Sequence, residues 1–204
     1  MNSINVFQKQ RYTFRSFFKD IKLFIANFPQ VKDTMTSGRI SRDFAERIML
    51  SVSSVNKCIS CTYGHTGSAL KSGALELEIV SILDDSMESI NEEEKIALNF
   101  AKHYARSRNN PSKEEKEKLV KFYGIQKAKD IIVFIQIITL GNLMGNAVEA
   151  YEARKNRQKV EGGSLLFDSF AFVFARRIFK QLKTSGINAI GERFSSGNDL
   201  MKLI

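Results

Sequence analysis

Two prolines, Pro29 and Pro111, punctuate a chain of 204 residues, and that scarcity constrains the fold more than any other property. An all-β design needs a turn every eight to twelve residues, supplied mostly by proline, glycine, asparagine and aspartate. With two prolines and twelve glycines the chain lacks that punctuation, and long helices are expected instead. The length suffices for one sizeable core. The fold class read from the sequence is therefore all-α.

Apolar periodicity places the helices. Phe14, Phe17, Phe18, Ile21, Phe24, Ile25 and Phe28 recur at three- and four-residue spacing, which predicts an amphipathic helix over Phe7–Phe28 ended by Pro29. A second is expected from Ser41, carrying Phe44, Ala45, Ile48, Met49, Val52 and Val55, with a break at Asn56 and Lys57. A third opens at Cys58 and runs to about Lys71, with Gly73 as its C-terminal cap. Asn91-x-x-Glu94 and Ser112-x-x-Glu115 resemble capping boxes and start helices at about 91–107 and 112–123, the latter stopped by Gly124. Lys127–Tyr151 has a β-branched run, Ile131 to Ile135, but at about 25 residues it is too long for a strand and is read as a buried helix. Arg154–Gly163 reads as a linker. Leu165–Lys183 is amphipathic, with Asp168, Ser169, Arg176, Arg177, Lys180 and Lys183 on one face and Leu166, Phe167, Phe170, Phe174 and Ile178 on the other.

Charge placement narrows the function classes. The formal charge is +9, yet residues 46–153 carry a net −2, whereas 1–45 carry +5 and 154–204 carry +6. A nucleic-acid-binding protein would more often concentrate basic and aromatic residues on its central surface, so no nucleic-acid partner is expected. The basic C-terminal segment is read as core or subunit packing, with membrane-surface contact the lesser alternative. Met1–Phe18 alternates charged and apolar residues, unlike a signal peptide. No segment is read as a membrane span, and a cytoplasmic location is expected.

Both cysteines and one of two histidines fall within eight residues, Cys58-Ile-Ser-Cys61-Thr-Tyr-Gly-His65. On a helix Cys61 and His65 are i and i+4 neighbours and Cys58 is one turn before Cys61. Cys58 then sits at the helix N-terminus, where unpaired N–H groups favour a thiolate. Glu46 lies twelve residues upstream. One continuous helix would place it about 18 Å from Cys58, but an antiparallel hairpin turning near Asn56 brings it opposite about position 66, beside His65. A carboxylate there fixes the imidazole tautomer and extends a proton relay. The candidate catalytic residues are Glu46, Cys58, Cys61 and His65. Residue types alone leave three readings open: thiol–disulfide redox chemistry, a structural role, and zinc held by Cys58, Cys61, His65 and Glu46, although the second ligand pair of a structural zinc site is missing. A thioredoxin-like arrangement would need strands around the motif. His103 is read as structural or exposed. Asn142 and Asn146, four apart in an apolar helix, need partners and are expected to cap a neighbouring helix or bridge subunits.

Glu46, eleven intervening residues, then Cys58-x-x-Cys61-x-x-x-His65 resembles the signature of the alkylhydroperoxidase D-like (carboxymuconolactone decarboxylase) superfamily. Val52-Ser-Ser-Val-Asn56, Asn91–Ala101 and Gly141-Asn-Leu-Met-Gly-Asn-Ala-Val148 resemble the same core. The similarity covers about residues 40–153, leaving 1–39 and 154–204 as N- and C-terminal helical extensions. The resemblance implies a helical alkylhydroperoxidase D-like fold, a homo-oligomer, no metal and no organic cofactor. Keeping both cysteines points to the branch that reduces hydroperoxides or exchanges electrons with a dithiol carrier, with a lipoyl or thioredoxin-like donor. It also implies that Cys61 is activated through His65 and Glu46 while Cys58 closes the disulfide. The helix-terminus argument favours Cys58 instead, and the order stays open. Ser60 departs from members with His or Tyr before the second cysteine, which weakens a relay through that position. The alternative to an enzyme is a redox sensor whose disulfide controls assembly.

Overall fold

The computed structural model describes residues 6–108 and 110–184, of which 178–184 are described by backbone alone. The described residues form helices and a single isolated bridge, and no strand, so the chain is all-α as its punctuation implies. In order the helices are α1 (Phe14–Ala26), α2 (Phe28–Ser37), α3 (Arg42–Asn56), α4 (Ile59–Lys71), α5 (Glu76–Leu83), α6 (Glu92–Arg106), α7 (Lys113–Lys155) and α8 (Leu165–Thr184).

The expected first helix is two. Thr13 caps α1 through a reciprocal pair with Ser16, so residues 7–13 stay outside it. Pro29 does not end a helix but sits in the first turn of α2, where its missing N–H has no partner to lose. Helix α5 falls where no helix was expected, because Leu75-Glu-Leu-Glu-Ile79 alternates and hides the helical period. Glu78 accepts from the Leu75 N–H (2.7 Å) to start it. The Ser112–Glu115 capping box forms in both directions. The Asn91 box is corrected by half: Asn91 accepts from Glu93 N–H, while Glu94 is drawn to Arg47 of α3 at 2.7 and 2.9 Å. A two-pronged ion pair with a buried guanidinium outcompetes a neutral cap.

Helix α7 breaks at Gly124, whose backbone (φ 75°, ψ 164°) is non-helical, and resumes as the buried helix expected over 127–151. Residues 131–148 carry no charge, which corrects the reading that nothing here matches a membrane span. By length and composition α7 is apolar enough to cross one, yet over half of its most apolar window is buried inside the protein. That burial is what a core helix requires.

The chain divides into two compact units, Lys9–Asn146 and a second made of the N-terminal residues through Gln8 with those from Ala147 onward. In the first, α3 is the central element. Ile48, Leu50 and Val52 are fully buried in one cluster with Leu98 and Ala101 of α6 and Ile131 and Ile135 of α7. Buried polar groups tie the layers. Asp130 of α7 accepts from Thr34 Oγ1 (2.6 Å) and from Arg39 (2.5 and 2.9 Å), which docks α2 and the segment before α3. Lys102 of α6 donates to the Ile82 carbonyl and Asp85 (2.5 and 2.6 Å), holding the end of α5.

In the second unit Phe7 pairs with the segment around Val160 (Phe7 N–H to Lys159 O, 2.9 Å), and α8 packs on the end of α7 through stacked Tyr151 and Phe172. The faces expected for α8 are corrected. Asp168 is fully buried and ion-paired with Arg154, while Leu166, Phe170 and Phe174 are exposed. A charged partner on α7 makes burial of Asp168 affordable, and the apolar ring of the helix is wide enough that one side of it stays outside. The side chains of Ile178, Lys180 and Lys183, and the extension from residue 185 on, lie outside the described residues.

Candidate functional site

The site is built on the α3–α4 hairpin. Lys57 adopts a left-handed conformation (φ 56°), uncommon for a residue with a Cβ. It ends α3 with the paired bonds of a Schellman turn, Lys57 N–H to Ser54 O and Cys58 N–H to Ser53 O, both 3.3 Å. Cys58 follows in an extended conformation as the N-cap of α4, and its carbonyl accepts the first helical bond, from Thr62 (2.8 Å). The break expected at Asn56 and Lys57 is thus a reversal of direction.

The reversal brings together the residues that the sequence singles out. Cys58 and Cys61 form a disulfide across one turn, with Cα atoms 5.3 Å apart. Glu46, near the start of α3, reaches His65 on α4, and Glu46 Oε2 lies 2.7 Å from His65 Nδ1. Both side chains are largely shielded, at 12% and 23% exposure. A carboxylate accepts from Nδ1–H, which leaves the Nε2 lone pair for proton transfer. His65 stands one turn beyond Cys61 on the same helix face, so disulfide and relay share a stripe of α4.

The two sulfurs differ in environment. Cys58 is fully buried, whereas Cys61 is half-buried and flanked by exposed Ser60. Ser60 Oγ is 3.7 Å from Cys58 Sγ, so the residue between the two cysteines contacts the buried sulfur. Behind the disulfide runs α7. A Cβ at Gly145 would meet Cys58 Sγ at 3.0 Å and Cys61 Sγ at 3.6 Å, so the helix can lie this close only because position 145 has no side chain.

Asn142 and Asn146 flank that glycine and are fully buried. Asn146 Nδ2 donates to the Asn56 carbonyl at the end of α3 (2.8 Å) and to Gln10 O (3.0 Å), which is the helix capping expected of it. Asn142 Oδ1 accepts from Ser53 Oγ (3.1 Å). Sequence reasoning missed Gly145 and Ser53. The signal was the pair Gly141-Asn142 and Gly145-Asn146, since a glycine inside a helical pattern marks close backbone approach. His103 pairs with Glu115 (3.0 Å) and is about half exposed, away from the hairpin.

Among the described residues, no group of three or more His, Cys, Asp or Glu side chains is arranged to hold a metal ion. The zinc alternative needs four side chains converging on a point, but Glu46 is turned onto Nδ1 and the sulfurs are bonded to each other. Comparisons with protein-family models, curated proteins and solved structures find no match. The functional reading therefore rests on the site itself.

Proposed function

We propose that the protein is a thiol-dependent oxidoreductase of the alkylhydroperoxidase D-like kind, cycling Cys58 and Cys61 between dithiol and disulfide. The observation that carries the reading is the half-buried Cys61 of a CxxC disulfide lying one helical turn from a histidine whose Nδ1 is held by a shielded carboxylate. A disulfide that serves only as a staple needs no such relay.

The difference in exposure orders the steps. In the dithiol form Cys61 is the sulfur that a hydroperoxide reaches. With its proton taken by His65 Nε2, directly or through water, the thiolate attacks the terminal peroxide oxygen. The O–O bond breaks, the alcohol leaves with the proton, and Cys61 becomes a sulfenic acid. Cys58 then attacks that sulfur, water leaves, and the disulfide closes. Reduction by a dithiol carrier, lipoyl or thioredoxin-like, begins with a carrier thiolate attacking the accessible Cys61 sulfur. The leaving group is the Cys58 thiolate, stabilised at the N-terminus of α4. The carrier's second thiol releases its disulfide, and both enzyme cysteines end reduced. The helix-terminus argument and the family expectation then describe two roles: Cys58 leaves, Cys61 attacks and is attacked.

The test is turnover of an organic hydroperoxide such as cumene hydroperoxide with a dithiol reductant, on the full chain. Saturable consumption should vanish in Cys61→Ser and fall by roughly 10²-fold in Glu46→Gln and His65→Gln. Undiminished turnover in a protein lacking both cysteines would end the reading. The contact of Gly145 with Cys58 favours a second reading, a sensor in which the redox state of the pair shifts α7 and alters assembly. It requires little turnover together with different sedimentation of oxidised and reduced protein.

A further inference from the structure

We infer that α1 is a membrane-surface element that lays its outer face on a bilayer of anionic lipid. The inference does not rest on the thiol chemistry. No residue of α1 is buried, so the helix lies at the surface of its unit. Phe17, Ile21 and Phe24 are partly buried and form the arc by which it packs. At 100° per residue Phe14, Phe18 and Ile25 fall within about 40° of one another on the adjoining arc, and all three are exposed. Phe14 and Phe18 stack on each other with ring centroids 6.3 Å apart. Ile25 follows two turns beyond Phe18 and is 65% exposed. The stripe runs about 16 Å along the helix.

Cations edge this stripe. Lys22, Arg15 and Lys19 lie about 40°, 60° and 100° further round than Phe18, and each is exposed. Asp20 is the one acid in the helix. It stands about 160° from Phe18, is partly buried and accepts from the Tyr12 hydroxyl at 2.8 Å. The exposed arc thus carries three positive charges and no negative one. A surface helix with aromatic and aliphatic side chains on one side and Lys and Arg beside them has the form that lies in a bilayer interface. The rings and the isoleucine enter the acyl boundary, and the long basic side chains reach the headgroups.

The charge decides which occupant fits. If α1 paired with the same helix of a second copy, no carboxylate on the exposed arc would answer the cations of either copy. A neutral bilayer gains nothing from them either. At an anionic surface each cation strengthens binding by about 5-fold. One weak signal gives only marginal binding, whereas an apolar insertion joined to a basic cluster gives a stable one.

Flotation of the full chain with vesicles tests this at low salt, comparing equal parts of phosphatidylcholine and phosphatidylserine with phosphatidylcholine alone. The wild type should float with the anionic vesicles and bind the neutral ones at least about 10-fold more weakly. Arg15→Gln with Lys19→Gln and Lys22→Gln should weaken anionic binding on the order of 100-fold. Phe18→Ser with Ile25→Ser should weaken it at least about 10-fold. These side chains are exposed, so the far-UV dichroism of both variants should match the wild type. Lys113→Gln with Lys116→Gln and Lys118→Gln removes the same charge from the exposed start of α7 and should cost far less, which separates the α1 patch from net charge. Failure of the wild type to float, equal binding to both vesicles, or equal losses in the two triple variants would each overturn the inference. So would a Phe18→Ser, Ile25→Ser protein that binds vesicles undiminished but sediments as a smaller species, which would assign the face to a second copy.

Discussion

Gly145→Ala should shift the redox equilibrium of Cys58 and Cys61 toward the dithiol, because position 145 touches the disulfide. Two terms oppose each other. Alanine in a helix interior is favoured over glycine by about 1 kcal/mol. Against this, a Cβ at 145 would stand 3.0 Å from Cys58 Sγ, closer than carbon and sulfur pack, and inserting one carbon into a filled site costs about 1–3 kcal/mol. In the oxidised protein the sulfur is tied to Cys61 and cannot turn away, so the net effect runs from about zero to 2 kcal/mol of destabilisation. In the dithiol Cys58 is free to rotate, the clash is relieved, and the helix term leaves a gain of about 1 kcal/mol.

The difference between the two states is the clash itself, about 1–3 kcal/mol. At 30 mV per 1.4 kcal/mol for a two-electron couple, this raises the reduction potential by roughly 20–60 mV. The assay is equilibration in graded dithiothreitol buffers with alkylation and mass readout, alongside thermal melts of both forms. Gly141→Ala is the matched control: it lies one turn earlier, nothing stands within 4 Å of its Cβ, and it should stabilise both forms alike with no change in potential. An unchanged potential for Gly145→Ala, with both forms stabilised as in the control, would refute the reasoning.

Two further outcomes follow from the same physics. Cys58→Ser should accumulate a mixed disulfide between Cys61 and a dithiol carrier, whereas Cys61→Ser should trap far less because Cys58 is buried; mass spectrometry of the intact protein decides, and equal trapping by both would reverse the assigned order. Burial pushes the Asp130 carboxyl up, but Arg39 and the Thr34 hydroxyl outweigh it and hold it below its ordinary value of 3.8. Its stabilisation is therefore complete above that value and is lost as pH falls through the lower folded-state pKa, so Asp130→Asn should lower stability near neutrality by about 2–4 kcal/mol and flatten the acid limb of a denaturation profile. A mutant as pH-sensitive as the wild type below pH 4 would contradict it.

The legible parts of this chain are those where a local pattern has one physical solution. Glu46 could be placed beside His65 because a reversal near Asn56 is the simplest geometry that joins them, and the 2.7 Å contact is there. Asn146 was legible because a buried amide must find a partner. The illegible parts depend on competition between distant groups. Glu94 looks like a capping residue until Arg47 appears 47 positions away in sequence. Asp168 looks like a solvent-facing charge until Arg154 neutralises it. The α5 segment alternates like a strand, and only its acidic cap and its packing against α3 make it a helix.

One backbone feature carries several demands at once. The left-handed Lys57 turn reverses the chain so that Glu46 meets His65, and it also leaves Cys58 extended at the start of α4, under Gly145, with Cys61 one turn further out. A residue inserted into α3 between Glu46 and the turn would rotate the carboxylate by about 100° and displace it by 1.5 Å, breaking the relay while leaving the disulfide intact. A residue inserted between the cysteines would break the disulfide and leave the relay in place on α3 and the rest of α4. Sulfur pairing and proton relay are therefore separable by register, and their coincidence on one hairpin is a property of the spacing. A structural crosslink constrains only the second of these spacings; a redox centre that must also move protons constrains both.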